Sequence, residues 1–328
     1  MRLPARQGGA TGGPLPKTLS VVIPVYNDWD SVNILAGRIA QALKAEDLQT
    51  RLLVVDDGSD TPAPAGLTET SGTVSVSVLR LKRNLGHQRA ISVALAYLDD
   101  QVKPDYTAVI DGDGEDDPAD LPKLLKVAAC FPGPGAAFAE RGKRAEGLLF
   151  RFFYLAYILL HRLLTGHKIR FGNYSVINSG ALAALAVAQE TWSHYAAAAV
   201  KLRVPIRTVP SARLGRISGS SKMNFFSLVA HGLGAMSVFG DVIGPRVLIT
   251  ISFLMSLVLV LIAAVLAIKF GTNLAIPGWA TYTVGLLATS LLQLGMMAVV
   301  FAFLTLASRQ NSSFLPLRDY KHFIRKLP

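Results

Sequence analysis

The sequence predicts an α/β domain with a mostly parallel sheet, followed by interfacial helices and a C-terminal hairpin of two transmembrane helices. Apolar, strand-like runs alternate with helical patterns over residues 18–245, which is typical of a parallel sheet covered on both faces. Hydrophobic residues reach 51% and charged residues only 17%, a balance more apolar than that of an ordinary soluble enzyme. Two long uncharged segments near the C-terminus complete the pattern.

The predicted strands are followed by unusual polar clusters. The four strand-like runs are "LSVVIPVYN", "RLLVVDDGS", "VSVSVLRLKRN" and "YTAVIDGD", with helical patterns at about 30–44, 86–99 and 119–129. The clusters that end these runs are "PVYND", "DDGSD", "RNLGHQRA" and "DGDGEDD". Because ligands of such sheets bind beyond the carboxyl ends of the strands, we expect these four loops to meet at one binding site.

The fourth cluster indicates a metal site. Five acidic side chains lie between Asp111 and Asp117 in a chain of net charge +11, so their mutual repulsion requires a positive partner. Asp111 and Asp113 leave the strand two residues apart and point to the same side, with Glu115 next in phase. The sequence has neither G-x-G-x-x-G after its first strand nor a P-loop. We therefore expect these carboxylates to bind a Mg²⁺ or Mn²⁺ ion, which in turn holds the diphosphate of a nucleotide substrate.

Other acidic residues and the cysteine have simpler interpretations. Asp117 and Asp120 are expected to start the following helix, where carboxylates suit the N-terminal dipole. The single cysteine, Cys130, excludes an internal disulfide and is expected to be a small buried hydrophobe in a reducing compartment.

The membrane segments set the predicted domain boundaries. Residues 1–17 form a basic tail without a signal peptide, 18–222 the α/β domain, 223–245 an interfacial amphipathic segment, 246–308 the transmembrane pair (about 247–268 and 281–307) and 309–328 a basic tail. A further interfacial helix is expected at 148–165, with a soluble core helix as its alternative. The positive-inside rule places both termini on the cytoplasmic side. The positive charge fits an anionic membrane surface, since no nucleic-acid-binding motif occurs.

Five motifs resemble those of a known enzyme family. They are "VVIPVYND", "VVDDGSD", "RNLGHQRAI", "DGDGEDDP" and "GRISGSSKMN", in this order along the chain. Together they resemble family 2 glycosyltransferases of the GT-A fold, and more narrowly the membrane-anchored polyprenyl-phosphate glycosyltransferases, such as dolichol-phosphate mannose synthases and bactoprenol glucosyltransferases. The resemblance runs over about 19–307.

The resemblance implies roles for particular residues. Nucleotide-sugar contacts fall on Pro24, Tyr26, Asn27, Asp28, Asp56, Asp57, Asn84, Gly86, Arg89, Asp111 and Gly112. The metal ligands are Asp111, Asp113 and Glu115, the catalytic group is Asp113, Asp116, Arg216 and Lys222, and the acceptor phosphate meets Arg216, Ser221 and Lys222. Ordinary turn chemistry is the alternative for Asn27 and Asp57, and a basic stripe facing lipid headgroups is the alternative for Arg216 and Lys222.

One segment departs from the family pattern. Where relatives often carry an Asp-Phe-Arg run, "FGNYSVINSG" places Asn173, Tyr174 and Ser175. A carboxylate and an arginine are therefore missing, and no role of that aspartate can be transferred to this chain.

The resemblance implies an inverting glycosyltransferase. Its donor is a nucleotide-sugar, UDP-linked rather than GDP-linked, and its acceptor an undecaprenyl-type polyprenyl phosphate at the cytoplasmic membrane face. One alternative is a hydroxyl acceptor, which needs a general base, with Asp116 the first candidate. Another is a membrane scaffold without catalysis. Two uncharged spans do not suit a transporter. The sequence leaves self-association open.

Overall fold

A computed structural model of the protein describes residues 17–68, 74–141, 158–167, 171–218, 232–272, 278–310 and 314–327. The chain divides into two units. The sheet unit consists of Met1–Lys143, Arg170–Lys222 and Pro316–Pro328, and the helical unit consists of Arg144–Ile169 and Met223–Leu315.

The described residues of the sheet unit form an eight-stranded sheet in the order β7-β5-β6-β4-β1-β2-β3-β8. The four central strands, β4, β1, β2 and β3, run parallel to one another, whereas β6 and β8 are antiparallel to their central neighbours. The predicted mostly parallel sheet is therefore confirmed. The strands are β1 Lys17–Val25, β2 Leu48–Asp56, β3 Val74–Leu81, β4 Tyr106–Val109, β5 Ala136–Arg141, β6 Ser175–Asn178, β7 Ile206–Ser211 and β8 Ile324–Lys326.

Helices cover both faces of this sheet. Alternate residues of a strand point to opposite faces, so Val22 packs with one apolar cluster while Val21 and Ile23 pack with another. Burial on both faces explains the near-continuous apolar runs of the central strands. The helices are α1 Trp29–Leu43, α2 His87–Tyr97, α3 Leu121–Ala129, α4 Ser179–Ala186 and α5 Tyr195–Lys201, with short helical turns at Ala65–Thr68, Leu98–Val102, Pro118–Asp120 and Gln189–Trp192.

The helical unit contains two long apolar helices, α6 Gly240–Gly271 and α7 Trp279–Gln310. Both are long and apolar enough to cross a membrane, and only 6% and 0% of their most apolar windows are buried. Their apolar side chains therefore face outward, unlike those of a soluble core hairpin. The helices contact each other closely at Gly244, where an added Cβ would lie 2.6 Å from Oγ1 of Thr305.

The chain returns to the sheet unit after α7. A short helix, α8 (Pro316–Asp319), and a helical turn at Tyr320–Phe323 lead into β8, which pairs with β3. Most of the predicted basic tail is thus an integral part of the sheet unit. The Tyr320 ring is fully buried, and its hydroxyl donates to Asp100 over 2.7 Å.

Cys130 is exposed at the end of α3, so its predicted burial is wrong. Its thiol donates to the Lys126 carbonyl at the helix end, where the chain faces solvent. The two predicted interfacial segments are 148–165 and 223–245, and within them residues 158–165 and 232–237 are helical. Residues 148–157 and 223–231 lie outside the described residues, as do residues 1–16.

Candidate functional site at the carboxyl edge of the sheet

The loops that follow β1, β2, β3 and β4 contact one another, as the sequence predicts. Asn27, in the first loop, adopts a left-handed conformation with φ of 54°. Its side-chain amide donates to the Asp60 carboxylate over 2.7 Å and accepts from the Asp60 backbone amide over 2.9 Å. Its own backbone amide donates to the Ser59 hydroxyl over 3.0 Å. Asn27 therefore joins the first loop to the second.

The two aspartates at the end of β2 are almost fully buried. Asp56 accepts from the Ser59 backbone amide over 2.8 Å and forms an ion pair with Arg80 at 3.2 Å. Asp57 accepts from the backbone amides of Leu85 and Gly86, over 2.7 and 2.9 Å. Burial raises the pKa of Asp57, and these two hydrogen bonds oppose that shift. Asp57 thus holds the third loop against the second.

Glycines allow the loops to approach closely. A Cβ on Gly58, whose φ is 74°, would lie 2.5 Å from the Arg83 carbonyl carbon. A Cβ on Gly112 would lie 2.8 Å from the Pro24 carbonyl oxygen. A side chain at residue 58 would therefore push the second and third loops apart, and one at residue 112 would push the fourth loop away from the end of β1.

The acidic loop after β4 faces two arginines from the segment after β7. Arg216 donates to Oδ2 of Asp113 over 2.7 Å, and its Nε lies 3.6 Å from Oε1 of Glu115. Arg213 forms an ion pair with Glu115. The backbones of the two segments are also joined, through a bridge between Asp116 and Arg213. These arginines are the positive partners that the crowded carboxylates require.

The described residues of this cluster could contribute oxygen ligands to a cation. They include four acidic residues, Asp111, Asp113, Glu115 and Asp116, and two arginines, Arg213 and Arg216. Burial lowers the pKa of Arg213, while the nearby carboxylates of Asp113 and Asp111 raise it. Carboxylate oxygens are the ligands that Mg²⁺ and Mn²⁺ prefer. The donor set therefore fits a hard divalent ion.

The three predicted metal ligands have different partners in this structure. Among the described residues, no group of three or more His, Cys, Asp or Glu side chains is gathered as a metal site. Asp113 and Glu115 contact arginines, and Asp111 accepts from the Asn173 side chain over 3.2 Å. The predicted triad is present in one loop, but its carboxylates are directed at protein donors.

The end of the acidic loop behaves as the helix start that the sequence predicts. The Asp117 carboxylate accepts from the backbone amide of Ala119 over 3.0 Å, and Asp120 pairs with Lys123 at 2.7 Å. The buried Tyr174 hydroxyl donates to the Asp117 carbonyl over 2.8 Å. Burial and the surrounding aspartates raise the pKa of Tyr174, so it remains a neutral donor.

The other predicted site residues are spread along the same edge. Pro24 is buried, Tyr26 is 42% exposed, and Asp28 precedes α1 without a side-chain capping bond. Asn84 and Gly86 lie in the third loop, and Gly86 begins α2 with a φ of 92°. The Arg89 guanidinium lies 5.2 Å from the ring centre of Trp192, so its contact is with an aromatic ring. Ser221 and Lys222 lie outside the described residues.

Sequence reasoning missed Arg213 and Gln88, and it assigned no role to Asn173. Arg213 stands three positions before Arg216, and that spacing is the only local signal for it. Gln88 and Asn173 reach the acidic loop through hydrogen bonds between residues far apart in the chain. The His161 ring contacts the His167 carbonyl within the helical unit.

Comparison with known proteins agrees with this architecture. The model of the family described as "Glycosyl transferase family 2" matches residues 20–175. An undecaprenyl-phosphate 4-deoxy-4-formamido-L-arabinose transferase of Sodalis glossinidius is 37% identical over 114 residues, which are 34% of this chain and 33% of that protein. The protein of the same name from Serratia proteamaculans is 36% identical over 115 residues, 34% of each chain. This chain thus matches about a third of the length of these curated relatives.

A solved structure shares the fold. The crystal structure of a mycobacterial protein superposes with a TM-score of 0.51 at 15% identity, covering 70% of this chain and 75% of that one. At this identity the likeness concerns the fold alone.

Proposed function

Residues 20–175 belong to glycosyl transferase family 2, and from this premise we propose that the protein transfers a sugar from a nucleotide-sugar to a polyprenyl phosphate. The observation that carries the proposal is the contact between Arg216 and Asp113. It places a residue suited to binding phosphate beside a residue suited to binding a cation. The curated relatives, whose name includes undecaprenyl phosphate, support this class of acceptor.

The donor is proposed to bind where the four loops meet. Asn27 and Asp57 hold the first three loops together, which shapes a fixed pocket edge for a base and ribose. Tyr26, with 42% of its surface exposed, offers an aromatic face beside this edge. Rigid loops of this kind lower the entropic cost of binding a nucleotide. A UDP-sugar is the favoured donor.

The diphosphate of the donor is proposed to lie over the acidic loop. A Mg²⁺ or Mn²⁺ ion held by Asp111, Asp113 and Glu115 would offset the charge that develops on the leaving diphosphate. Arg213 and Arg216 lie beside these carboxylates. A guanidinium can exchange a carboxylate for a phosphate, because it presents the same pair of N–H groups to either. We therefore assign both arginines to the phosphates of donor and acceptor, with Ser221 and Lys222.

The chemistry requires little from a general base. An oxygen of the lipid phosphate attacks the anomeric carbon, the bond from that carbon to the nucleoside diphosphate breaks, and the diphosphate leaves with the electron pair. A phosphate monoester is already largely ionised near neutrality, with a second pKa of about 6. The amide at Asn173, in place of a carboxylate, is compatible with such an acceptor. A single displacement inverts the anomeric centre.

A hydroxyl acceptor is less well served by the same residues. It would need a base within reach of its proton. Asp116, the first candidate, is 2% exposed and lies in a backbone bridge with Arg213. A scaffold without catalysis would not need the acidic loop and the arginines that face it.

The connectivity of the chain supports the proposed membrane hairpin. The helices α6 and α7 lie between β7 and β8 in the chain, and β8 pairs with β3. The chain therefore leaves and rejoins the same unit, as a hairpin of two spans requires. Basic residues near the C-terminus include Arg325 and Lys326, and by the positive-inside rule we propose that this side is cytoplasmic.

The proposal is tested with the full-length chain in membranes or detergent. Labelled UDP- and GDP-sugars are incubated with undecaprenyl phosphate and Mn²⁺ or Mg²⁺, and lipid-linked sugar is extracted and measured. We expect product only when lipid phosphate and a divalent ion are both present, and none with Asp113→Ala. Transfer to a diacylglycerol or a glycan in preference to the lipid phosphate would contradict the proposed acceptor. Absence of transfer from any nucleotide-sugar would contradict the proposed activity.

A further inference from the structure

A chain of three hydrogen bonds runs from a backbone amide to the first carboxylate of the acidic loop. The Tyr195 backbone amide donates to Oε1 of Gln88 over 2.7 Å. Nε2 of Gln88 donates to Oδ1 of Asn173 over 3.0 Å. Nδ2 of Asn173 donates to Oδ1 of Asp111 over 3.2 Å. The two amide side chains are 8% and 5% exposed, so water competes little for these bonds.

The Tyr195 backbone amide fixes the donor and the acceptor of every hydrogen bond in this series. A backbone amide can only donate, so Gln88 must accept with its oxygen and turn its nitrogen toward Asn173. Asn173 must then accept with its own oxygen, and its nitrogen is left to face Asp111. The Nε2 atom of His87 lies 3.0 Å from Nε2 of Gln88; it accepts from that nitrogen, because the amide nitrogen has no lone pair to offer.

We propose that Gln88 and Asn173 are positioning residues for Asp111. They hold one oxygen of its carboxylate in place, so that the side chain is already ordered when a divalent ion and a diphosphate bind. This inference rests on the proposed function. Hydrogen bonds that orient a metal ligand commonly change metal affinity by about 10- to 100-fold when they are removed.

The same polarity explains the departure from the family pattern at Asn173. A carboxylate at this position has no N–H to donate and would face Asp111 with a second negative oxygen. Given the donor nitrogen that Gln88 presents, only a side chain with both an acceptor and a donor completes the chain. Asparagine meets that requirement at this length. The position to which no role of the family's aspartate could be transferred therefore has a role of its own in this proposal.

The test measures Mn²⁺ binding by electron paramagnetic resonance, in the presence of UDP or GDP, with the full-length protein. Gln88→Met and Asn173→Ala are each expected to weaken Mn²⁺ binding about tenfold or more. The double variant is expected to bind no more weakly than Asn173→Ala, because Gln88 acts on Asp111 only through Asn173. Such non-additivity is the signature of one connected chain.

The matched control is Ser92→Ala. Ser92 is on the same helix as Gln88, is fully buried, and shares a 2.8 Å hydrogen bond with Thr191. The control should lower the melting temperature while leaving Mn²⁺ affinity unchanged. If Gln88→Met fails to fold, Gln88→Glu, which still accepts from the Tyr195 amide but cannot donate to Asn173, takes its place in the cycle.

The outcomes separate this inference from the proposed function. Normal Mn²⁺ uptake by the unmodified protein together with additive effects of the two substitutions would overturn the positioning role alone. Equal loss of affinity in Ser92→Ala would overturn it as well, because the effect would then reflect general destabilisation. Failure of the unmodified protein to bind Mn²⁺ with either nucleotide would overturn both.

Discussion

The Arg216 guanidinium donates to the Asp113 carboxylate, with 2.7 Å between Nη2 and Oδ2. The two residues lie 103 positions apart in the chain, and their side chains are 26% and 20% exposed. Both side chains keep some contact with water, and solvent-screened ion pairs contribute about 0–1 kcal/mol to stability. The pair also brings a cationic group and an anionic group to the place where the diphosphate is proposed to lie.

Replacement of Arg216 by alanine should therefore separate activity from stability. We expect turnover to fall by about 10²- to 10³-fold, the usual loss when one donor to a developing negative charge is removed. The free energy of unfolding should change by less than about 1 kcal/mol. Arg216→Lys should recover part of the activity, because lysine keeps the charge but cannot form two parallel hydrogen bonds. Initial rates and thermal melts on the same preparations measure both effects.

Lys201→Ala is the matched control for this experiment. Lys201 forms an ion pair with Glu190 at 3.2 Å, and the two side chains are 23% and 17% exposed. The pair has similar exposure but joins α5 to a helical turn rather than to the acidic loop. Its removal should leave turnover unchanged. Comparable losses in Lys201→Ala and Arg216→Ala would show that activity merely follows surface charge.

Two aspartates of the same loop should respond in opposite ways. Asp117 caps a helical turn through the Ala119 amide, so Asp117→Ala should cost about 0.5–2 kcal/mol of stability with little effect on turnover. Asp113→Ala should abolish turnover while reducing stability only slightly, because its partner Arg216 is partly solvated. Thermal melts and product assays on the two variants decide the matter. If Asp117→Ala abolished turnover and Asp113→Ala did not, the site would lie at Asp117 rather than at Asp113.

Gly112 should tolerate no side chain. An added Cβ would lie 2.8 Å from the Pro24 carbonyl oxygen, so Gly112→Ala must displace the fourth loop or the end of β1. A shift of about 1 Å in such a site lowers kcat/KM by about 10²-fold, and we expect a loss of that size with the nucleotide-sugar varied.

Gly37→Ala provides the comparison. No atom lies within 4 Å of the Cβ it would add in α1, and alanine should stabilise this helix by about 0.8–1.0 kcal/mol without any effect on kcat/KM. An active Gly112→Ala variant would mean that the close contact between the fourth loop and the end of β1 is not needed.

Much of the fold could be predicted from the sequence because local signals and global structure agree. The central strands are long apolar runs buried on both faces, and each ends at turn-forming residues such as Asn27 and Gly58. Alternation with helices indicates a mostly parallel sheet. The outward-facing hairpin follows from length and composition alone. The acidic loop was visible because its charge density is unusual in a basic chain.

The remaining features depend on contacts that leave no local signal. Strand β8 consists of three residues, Ile324–Lys326, and pairs with β3, which lies far back in the chain. No periodicity can reveal a strand of that length. The bond from Gln88 to Asn173 joins residues 85 positions apart, and that from Asn173 to Asp111 joins residues 62 apart. Amides of this kind are indistinguishable in sequence from ordinary surface residues.

The docking of the C-terminal segment supplies the last prediction. The Tyr320 hydroxyl donates to Asp100 over 2.7 Å, and Lys321 lies 2.9 Å from the same carboxylate. Tyr320→Phe removes the first bond but keeps the buried ring, so we expect a loss of about 1 kcal/mol. The backbone amide of Lys82, which donates to the Phe323 carbonyl over 2.8 Å, should exchange its hydrogen faster in this variant. Hydrogen exchange followed by mass spectrometry reads out that peptide.

The pH dependence of this effect has a defined sign. The hydrogen bonds from Tyr320 and Lys321 lower the pKa of Asp100 below its ordinary value of 3.8. A depressed carboxyl pKa gives stability that is present above 3.8 and is lost as pH falls through the folded value. The difference in stability between wild type and Tyr320→Phe should therefore be largest near neutrality and shrink below pH 3.8. Tyr282→Phe, at a tyrosine that is 79% exposed in α7, should show no such difference. A gap that widened in acid would mean that the Tyr320 hydroxyl does not act through ionised Asp100.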